Sequence, residues 1–237
     1  DEVRGVMVTW MATASALQAA ADHGCNLVLT HEPPLFSEKN EAPPYRWTTP
    51  VFPAAETERS PNRQRRELIQ RHKLTILQVH YGLDRYCIGD VFAKACGLDR
   101  VAAGDGYEKV YELDAPISVH DLALRAKHAA GVSGAVRVVG DPERLVQRIA
   151  NLWGGVSLLA NAYWWRRAID QGAEAAIGGE LDEMGCHYAI EAGLALVETS
   201  HVLSENIGLR QFVQDLRHRF PTLNVVFHDL PRPCWTL

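Results

Sequence analysis

The strongest constraint on the fold of this chain is its regular alternation of short apolar runs with segments of helical spacing. Residues 3–10 and 26–30 are apolar runs of strand length, and residues 13–23 between them repeat apolar side chains at helical intervals. Strands that alternate with helices in this way pack as layers, with helices covering a sheet. The sequence therefore predicts an α/β fold with parallel or mixed sheets.

The alternation continues to the end of the chain. Further strands are predicted at residues 74–79, 135–139, 146–152, 173–177, 195–200 and 223–227, with an edge strand at 107–113. Further helices are predicted at residues 63–72, 90–96, 118–130, 160–170, 182–191 and 205–219. Residues 37–60 are polar and rich in Pro, which predicts a long loop.

Two stretches of the first half have counterparts in the second half. Residues 22–32 and 170–180 each run from an Asp through a Gly turn and a strand to a Glu. Residues 74–89 and 195–208 each carry an apolar run that ends on His, then an acid, then an Ile-Gly pair. We therefore predict two related α/β halves, residues 1–100 and 145–237, with an intervening segment at 101–144 and a metal site in the cleft between the halves.

The candidate chemistry lies where strands end. His80 and His201 each end an apolar strand, and an acid, Asp84 or Glu205, follows four residues later. Four residues is about one helical turn, so His and acid face the same point. His31 ends a strand in the same way, with Glu32 beside it.

Imidazole and carboxylate groups at the carboxyl ends of strands predict a metal site. Open α/β sheets bind ligands at that edge, and borderline divalent ions accept these ligand types. Three histidines and three carboxylates would be enough for two adjacent ions. The predicted ligands are His31, Glu32, His80, Asp84, His201 and Glu205.

Other interpretations of these residues stay open. A single His-x-x-x-Asp pair is common at exposed helix starts, and Asp84 and Glu205 would also serve as helix N-caps or first-turn acids. Motifs for nucleotide-binding loops, serine hydrolases and zinc proteases are absent from the sequence.

The net charge and the cysteine content indicate which classes of partner and which cellular location to expect. The net charge of −5 argues against nucleic acid, which needs clustered Lys and Arg, and no apolar run approaches the length of a membrane span. Five scattered cysteines without CxxC spacing predict reduced, mostly buried thiols and a cytoplasmic location. The chain begins directly on a strand-like run without Met, so we expect residues before Asp1 in the natural protein.

Several segments together resemble the Nif-three-like dinuclear-metal-centre family, whose members are also called GTP cyclohydrolase I type 2 homologues. They are residues 26–36 (NLVLTHEPPLF), 80–84 (HYGLD), 137–143 (RVVGDPE), 173–183 (AEAAIGGELDE) and 198–205 (ETSHVLSE). The resemblance covers nearly the whole chain. It implies a two-half α/β fold, two bound divalent ions and a homohexameric ring with its sites facing an inner cavity.

The resemblance also implies roles for particular residues. His31, Asp84, His201 and Glu205 match the family's ligands, and His80 matches a neighbour of the site. The family usually has a second His directly after the first, where this chain has Glu32, as in a subgroup with a His-Glu-Pro run. Glu can ligate a metal, but it is harder and anionic, which would change either the metal preference or the occupancy of the second site.

These observations support three functional hypotheses. The first is a dinuclear metal-dependent hydrolase acting on a nucleotide, another phosphoester or a cyclic amide, with Asp84 or Glu205 bridging the ions and Glu32 or Glu180 as general base. The metal is Zn, Mn, Fe, Co or Ni, which such ligands do not distinguish. The second is a non-catalytic metal-binding or regulatory scaffold, and the third is an interaction module without metal.

Overall fold

The computed structural model describes residues 2–36 and 60–235. The chain divides into two compact units: unit 1 comprises Asp1–Leu83 and Phe212–Leu230, and unit 2 comprises Asp84–Gln211 and Pro231–Leu237. Both units combine helices with a sheet, so the predicted α/β class is confirmed. The predicted halves at 1–100 and 145–237 are defined by sequence correspondences and stay a prediction. The predicted loop at 37–60 lies, except for Ser60, outside the described residues.

The elements follow the predicted alternation closely. The strands are β1 (Gly5–Thr9), β2 (Leu27–Thr30), β3 (Thr75–Gln78), β4 (Val101–Ala103), β5 (Val110–Ser118), β6 (Arg137–Val139), β7 (Leu145–Leu152), β8 (Ala175–Gly178), β9 (Ala195–Glu198) and β10 (Asn224–His228). The α-helices are α1 (Ala14–Asp22), α2 (Pro61–His72), α3 (Tyr81–Leu83), α4 (Gly89–Ala95), α5 (Val119–Ala130), α6 (Ala162–Asp170), α7 (Glu183–Ala192) and α8 (His201–Arg219). A π-helical turn, Asp84–Ile88, follows α3, and two 3-10 turns, Gly154–Ser157 and Leu159–Asn161, precede α6.

Unit 1 contains a four-stranded sheet in the order β10-β1-β2-β3, and every neighbouring pair in it is parallel. Helix α1 begins where the Thr13 side chain accepts a hydrogen bond from the backbone N–H of Ala16. Helix α2 begins with Ser60 as its cap and Pro61 in its first turn, which suits a residue that lacks a donor. The core of this unit is Met7, Ala12, Leu17, Ala20, Cys25, Val28, Leu68 and Leu74.

Unit 2 contains a six-stranded mixed sheet in the order β4-β5-β7-β8-β9-β6. Its central pairs β7–β8 and β8–β9 are parallel, and the pairs toward both edges are antiparallel. Ser118 and Asp182 cap α5 and α7 by accepting backbone N–H groups of the first turn. The core of this unit is Val110, Ala150, Leu152, Trp165, Ala168, Ala176, Leu181, Ala189, Leu194 and Leu196.

Two sequence expectations about elements are wrong. The strand predicted as an edge at 107–113 is β5, which lies between β4 and β7, because the three-residue strand β4 covers its outer side. The last helix begins at His201 rather than at Glu205, so Glu205 lies in its second turn and is neither an N-cap nor a first-turn acid.

Two further expectations from the sequence are that the cysteines are mostly buried and that the chain has no membrane-spanning segment. All five cysteines are free, with Cys25, Cys87 and Cys96 buried, Cys186 half-buried and Cys234 exposed. The prediction of mostly buried thiols is therefore confirmed, and their reduced state stays a prediction. Within the described part of the chain, no helix has both the length and the apolar character that crossing a bilayer requires.

Candidate metal centre

In unit 1, the parallel pair β2–β3 brings three predicted ligands together. Thr30 and Gln78 are in register at the ends of these strands, so the residues that follow them are neighbours. The rings of His31 and His80 stack with their centroids 4.3 Å apart, and His80 Nε2 lies 3.5 Å from Glu32 Oε1. We call His31, Glu32 and His80 the first cluster.

The backbone of the first cluster is fixed by neighbouring strands. The N–H of His31 donates to the carbonyl of Thr9, and the N–H of Glu32 donates to the carbonyl of Trp10 at 2.7 Å. The Thr30 hydroxyl donates to the carbonyl of Glu32 at 2.9 Å. These bonds continue the pairing of β2 beyond its last residue and hold the direction in which the two side chains leave the strand.

The donor set of the first cluster fits a divalent ion. One ligand atom from each of its three residues lies within 4.8 Å of the others, which is a spacing that small side-chain rotations convert to bonds of about 2 Å to a shared ion. His31 is fully buried and Glu32 is 5% exposed. A carboxylate is costly to bury, and a cation beside it offsets that cost.

In unit 2, helix α8 carries two further predicted ligands on one face. His201 Nε2 lies 3.1 Å from Glu205 Oε1, as expected for residues four apart on a helix. His201 Nδ1 lies 3.2 Å from Glu180 Oε2, and Glu180 follows β8. We call Glu180, His201 and Glu205 the second cluster. Its histidine thus has a carboxylate at each ring nitrogen.

The turn Gly154-Gly155, which follows β7, packs directly on the second cluster. Gly154 has φ +55°, and a Cβ there would overlap Glu205 Oε1 and lie 2.8 Å from Glu205 Cδ. Its backbone N–H donates to the hydroxyl of Ser204 at 3.0 Å. A residue without a side chain is therefore required for Glu205 to occupy its position.

The backbone directly before His201 is strained. Ser200 has φ +122°, a region that residues with a Cβ rarely adopt. Its N–H donates to the carbonyl of Gly179 at 2.7 Å, and its carbonyl accepts from the N–H of Ser204. These bonds hold the unusual conformation, and it sets the point at which α8 and His201 begin.

Asp84 has two partners that the sequence did not indicate. The Tyr107 hydroxyl donates to Asp84 Oδ2 at 2.8 Å, and Trp153 Nε1 donates to Oδ1 at 3.4 Å. A small open pocket beside this carboxylate is also lined by Arg85 and Lys109. No sequence motif links Tyr107 or Trp153 to Asp84, and only the aromatic character of these two residues could have suggested a structural role.

The predicted site residues are thus placed as follows. Unit 1 brings His31, Glu32 and His80 together, and unit 2 brings His201 together with Glu205 and Glu180. Glu180, predicted as a general base, is hydrogen-bonded to His201 and has a side chain that is 42% exposed. Glu32, the other predicted base, has a side chain that is 7% exposed.

Comparison with known families matches almost the whole chain. The model for "Duf34/NIF3 (NGG1p interacting factor 3)" matches residues 1–233. A protein named "GTP cyclohydrolase 1 type 2 homolog" from Neisseria meningitidis serogroup B is 31% identical over 83 residues, which is 35% of this chain. That matched stretch spans only 31% of the relative's own length.

Solved structures show the same fold. The Bacillus cereus protein related to NIF3 aligns with a TM-score of 0.78 at 16% identity, over 99% of this chain and 90% of the other. Reduced HcgD from Methanocaldococcus jannaschii aligns with a TM-score of 0.72 at 16% identity, over 97% of this chain and 85% of the other. At these identities the likeness extends to the fold alone.

Proposed function

We propose that this chain, which belongs to the Duf34/NIF3 family, is a divalent-metal-dependent hydrolase whose substrate is a nucleotide, another phosphoester or a cyclic amide. The proposal that the chain binds metal is supported most directly by the first cluster. One ligand atom from each of its two imidazoles and its buried carboxylate lies within 4.8 Å of the others. The proposed metal ligands are His31, Glu32, His80, Asp84, His201 and Glu205.

The second cluster supports the same proposal independently. His201 and Glu205 face each other on α8, and Glu180 lies at the other ring nitrogen of the histidine. A metal-bound histidine commonly donates its second N–H to a carboxylate, which fixes its tautomer and orientation. The pair Glu180–His201 has that arrangement. We propose, from the sequence motifs, that all six ligands serve one dinuclear centre.

Bound divalent ions would lower the pKa of a coordinated water and neutralise charge on a phosphate or carbonyl oxygen. The chain itself would supply a proton acceptor, and the candidates are Glu32 and Glu180. Glu180 suits this role better, because its side chain is 42% exposed whereas that of Glu32 is 7% exposed, so water and substrate reach it. The ligand types present fit Zn, Mn, Fe, Co or Ni.

The second candidate is a non-catalytic metal-binding or regulatory scaffold. Burial of the proposed ligands favours it, since His31 is fully buried and Asp84, Glu205 and Glu32 are each at most 5% exposed. An ion enclosed entirely by protein has no open position for a substrate. Metal binding without turnover would therefore select this candidate.

The proposal also includes properties beyond the site. A homohexameric ring follows from the family resemblance, and a cytoplasmic location agrees with five free thiols. The partner is proposed to be a small molecule rather than nucleic acid, in keeping with the net charge of −5.

A substrate screen tests the hydrolase. Protein purified without chelator and loaded with each metal in turn is assayed on GTP, other nucleotides, aryl phosphoesters and cyclic amides, with GTP first because of the relatives' name. We expect turnover that disappears in His201→Ala and persists in His218→Ala, a matched variant on the same helix. Activity that is unchanged in His201→Ala would contradict the assigned site.

A further inference from the structure

The carboxylate of Asp84 is held by an aromatic side chain at each oxygen. Asp84 is 5% exposed, Tyr107 Oη donates to its Oδ2 at 2.8 Å, and Trp153 Nε1 donates to its Oδ1 at 3.4 Å. Each carboxylate oxygen can accept more than one hydrogen bond or metal bond, so a bond from Tyr107 or Trp153 is compatible with an ion at the same carboxylate. The two donors restrict the rotation of the carboxylate.

Packing fixes the two donors in turn. The ring of Tyr107 stacks on that of Trp153 with centroids 5.2 Å apart and an interplanar angle of 20°, and its centroid lies 5.3 Å from that of Trp164 with the rings tilted by 40°. Trp153 is 5% exposed, and a Cβ at Gly89 would lie 2.6 Å from its ring. The Tyr107 hydroxyl is therefore positioned by contacts of its ring with two tryptophan rings, and the Trp153 indole by its close packing on Gly89.

We propose that Tyr107, supported by Trp153, is a positioning residue that orients Asp84 for metal binding. This inference rests on the proposed function, in which Asp84 is a metal ligand. Hydrogen bonds to a ligating carboxylate keep it in the orientation that the ion requires, so their loss weakens binding although the ligand itself remains. Tyr107 thus acts through Asp84 and contributes no ligand atom of its own.

Cobalt binding measured on the full chain tests this role, because the visible absorption of Co²⁺ reports its coordination. The test variant is Tyr107→Phe, which removes the hydroxyl and keeps the stacked ring. Tyr163→Phe is the matched control: its ring packs on Trp164 at 4.9 Å in the same aromatic stack, and its hydroxyl contacts Arg167 rather than Asp84. Asp84→Asn tests whether Asp84 is a ligand.

We expect Tyr107→Phe to weaken Co²⁺ binding by about 10–100-fold and to shift its visible absorption bands, because the carboxylate reorients. Tyr163→Phe should bind within about twofold of the wild type. Thermal unfolding of each variant verifies the fold. If Tyr107→Phe does not fold, Trp153→Phe, which removes the second donor, should show the same weakening.

The outcomes separate this inference from the proposed function. A wild type that binds no Co²⁺ would overturn the proposed function itself. Wild-type binding that Asp84→Asn leaves unchanged would remove Asp84 from the ligands and overturn the inference. Wild-type binding that is weakened by Asp84→Asn but unchanged in affinity and absorption by Tyr107→Phe would overturn the inference and leave the metal site in place.

Discussion

Replacing Gly154 by Ala should disrupt the second cluster through Glu205. The Cβ of an alanine at this position would overlap Glu205 Oε1 and lie 2.8 Å from its Cδ, closer than real Cβ contacts. It would also lie 3.1 Å from His201 Cδ2. Because Glu205 is 3% exposed, its carboxylate has little room to retreat without displacing its neighbours.

Two costs add at this position. Forcing alanine into the left-handed region, here φ +55°, costs about 1–2 kcal/mol, and overpacking a buried contact costs about 1–3 kcal/mol. We therefore expect Gly154→Ala to lower the free energy of unfolding by about 2–5 kcal/mol. Metal affinity should fall at least about tenfold, because the proposed ligand Glu205 is pushed aside.

Gly131→Ala is the matched control for this prediction. Gly131 has φ +69°, and nothing lies within 4 Å of the position of an added Cβ. It carries the backbone cost alone, about 1–2 kcal/mol, and leaves the proposed ligands in place. The difference between the two variants therefore isolates the contact with Glu205.

Urea unfolding and metal titration measure both effects. The double variant Gly154→Ala/Glu205→Ala removes the clashing carboxylate, so adding Gly154→Ala to Glu205→Ala should cost about as little as Gly131→Ala does. If Gly154→Ala and Gly131→Ala have equal stability and equal metal affinity, the close packing of Gly154 on Glu205 does not govern the site, and the reasoning is refuted.

Three further predictions concern groups outside the site. Burial raises the pKa of Glu174, but hydrogen bonds from two backbone N–H groups outweigh burial, so the net pKa lies below its ordinary value. The stabilisation that this carboxylate provides is therefore lost as pH falls through its folded-state pKa. Glu174→Gln should flatten the decline of the unfolding free energy below about pH 4. Arg137→Ala should cost about 1–2 kcal/mol in urea unfolding, because it leaves the buried carboxylate of Glu198 without its guanidinium partner, and an unchanged midpoint would contradict this. In native protein at pH 8, iodoacetamide should label the exposed Cys234 and spare Cys96, whose pKa burial raises to about 12; mass spectrometry showing equal labelling would contradict this.

Local spacing accounts for the parts of the fold and site that the sequence predicted. The four-residue interval between His201 and Glu205 is one helical turn, and the structure has their side chains 3.1 Å apart. His31 and His80 follow strands that pair in parallel, which places both at one sheet edge. The first inference needs only the helical repeat, and the second needs only the direction of the two strands.

Contacts between residues far apart in sequence, and elements of only a few residues, could not be predicted from the sequence, for physical reasons. Tyr107 and Trp153 reach Asp84 from 23 and 69 residues away, and no periodic pattern encodes such a contact. Strand β4 has three residues, too few to show alternation, so the sequence alone places β5 at an edge of the sheet. The early start of α8 depends on the strained backbone of Ser200, which tertiary hydrogen bonds hold and local propensity disfavours.

Elemental analysis tests the central proposal, that the two clusters bind divalent metal, most directly. Wild-type protein purified without chelator, and again after metal reconstitution, is compared with His31→Ala, His201→Ala and the control His218→Ala, which lies near the other end of α8. We predict about one to two equivalents of divalent metal per chain in the wild type and in His218→Ala, and a clear loss in the two site variants. Less than about a tenth of an equivalent in the reconstituted wild type, or full retention in both site variants, would contradict the proposal.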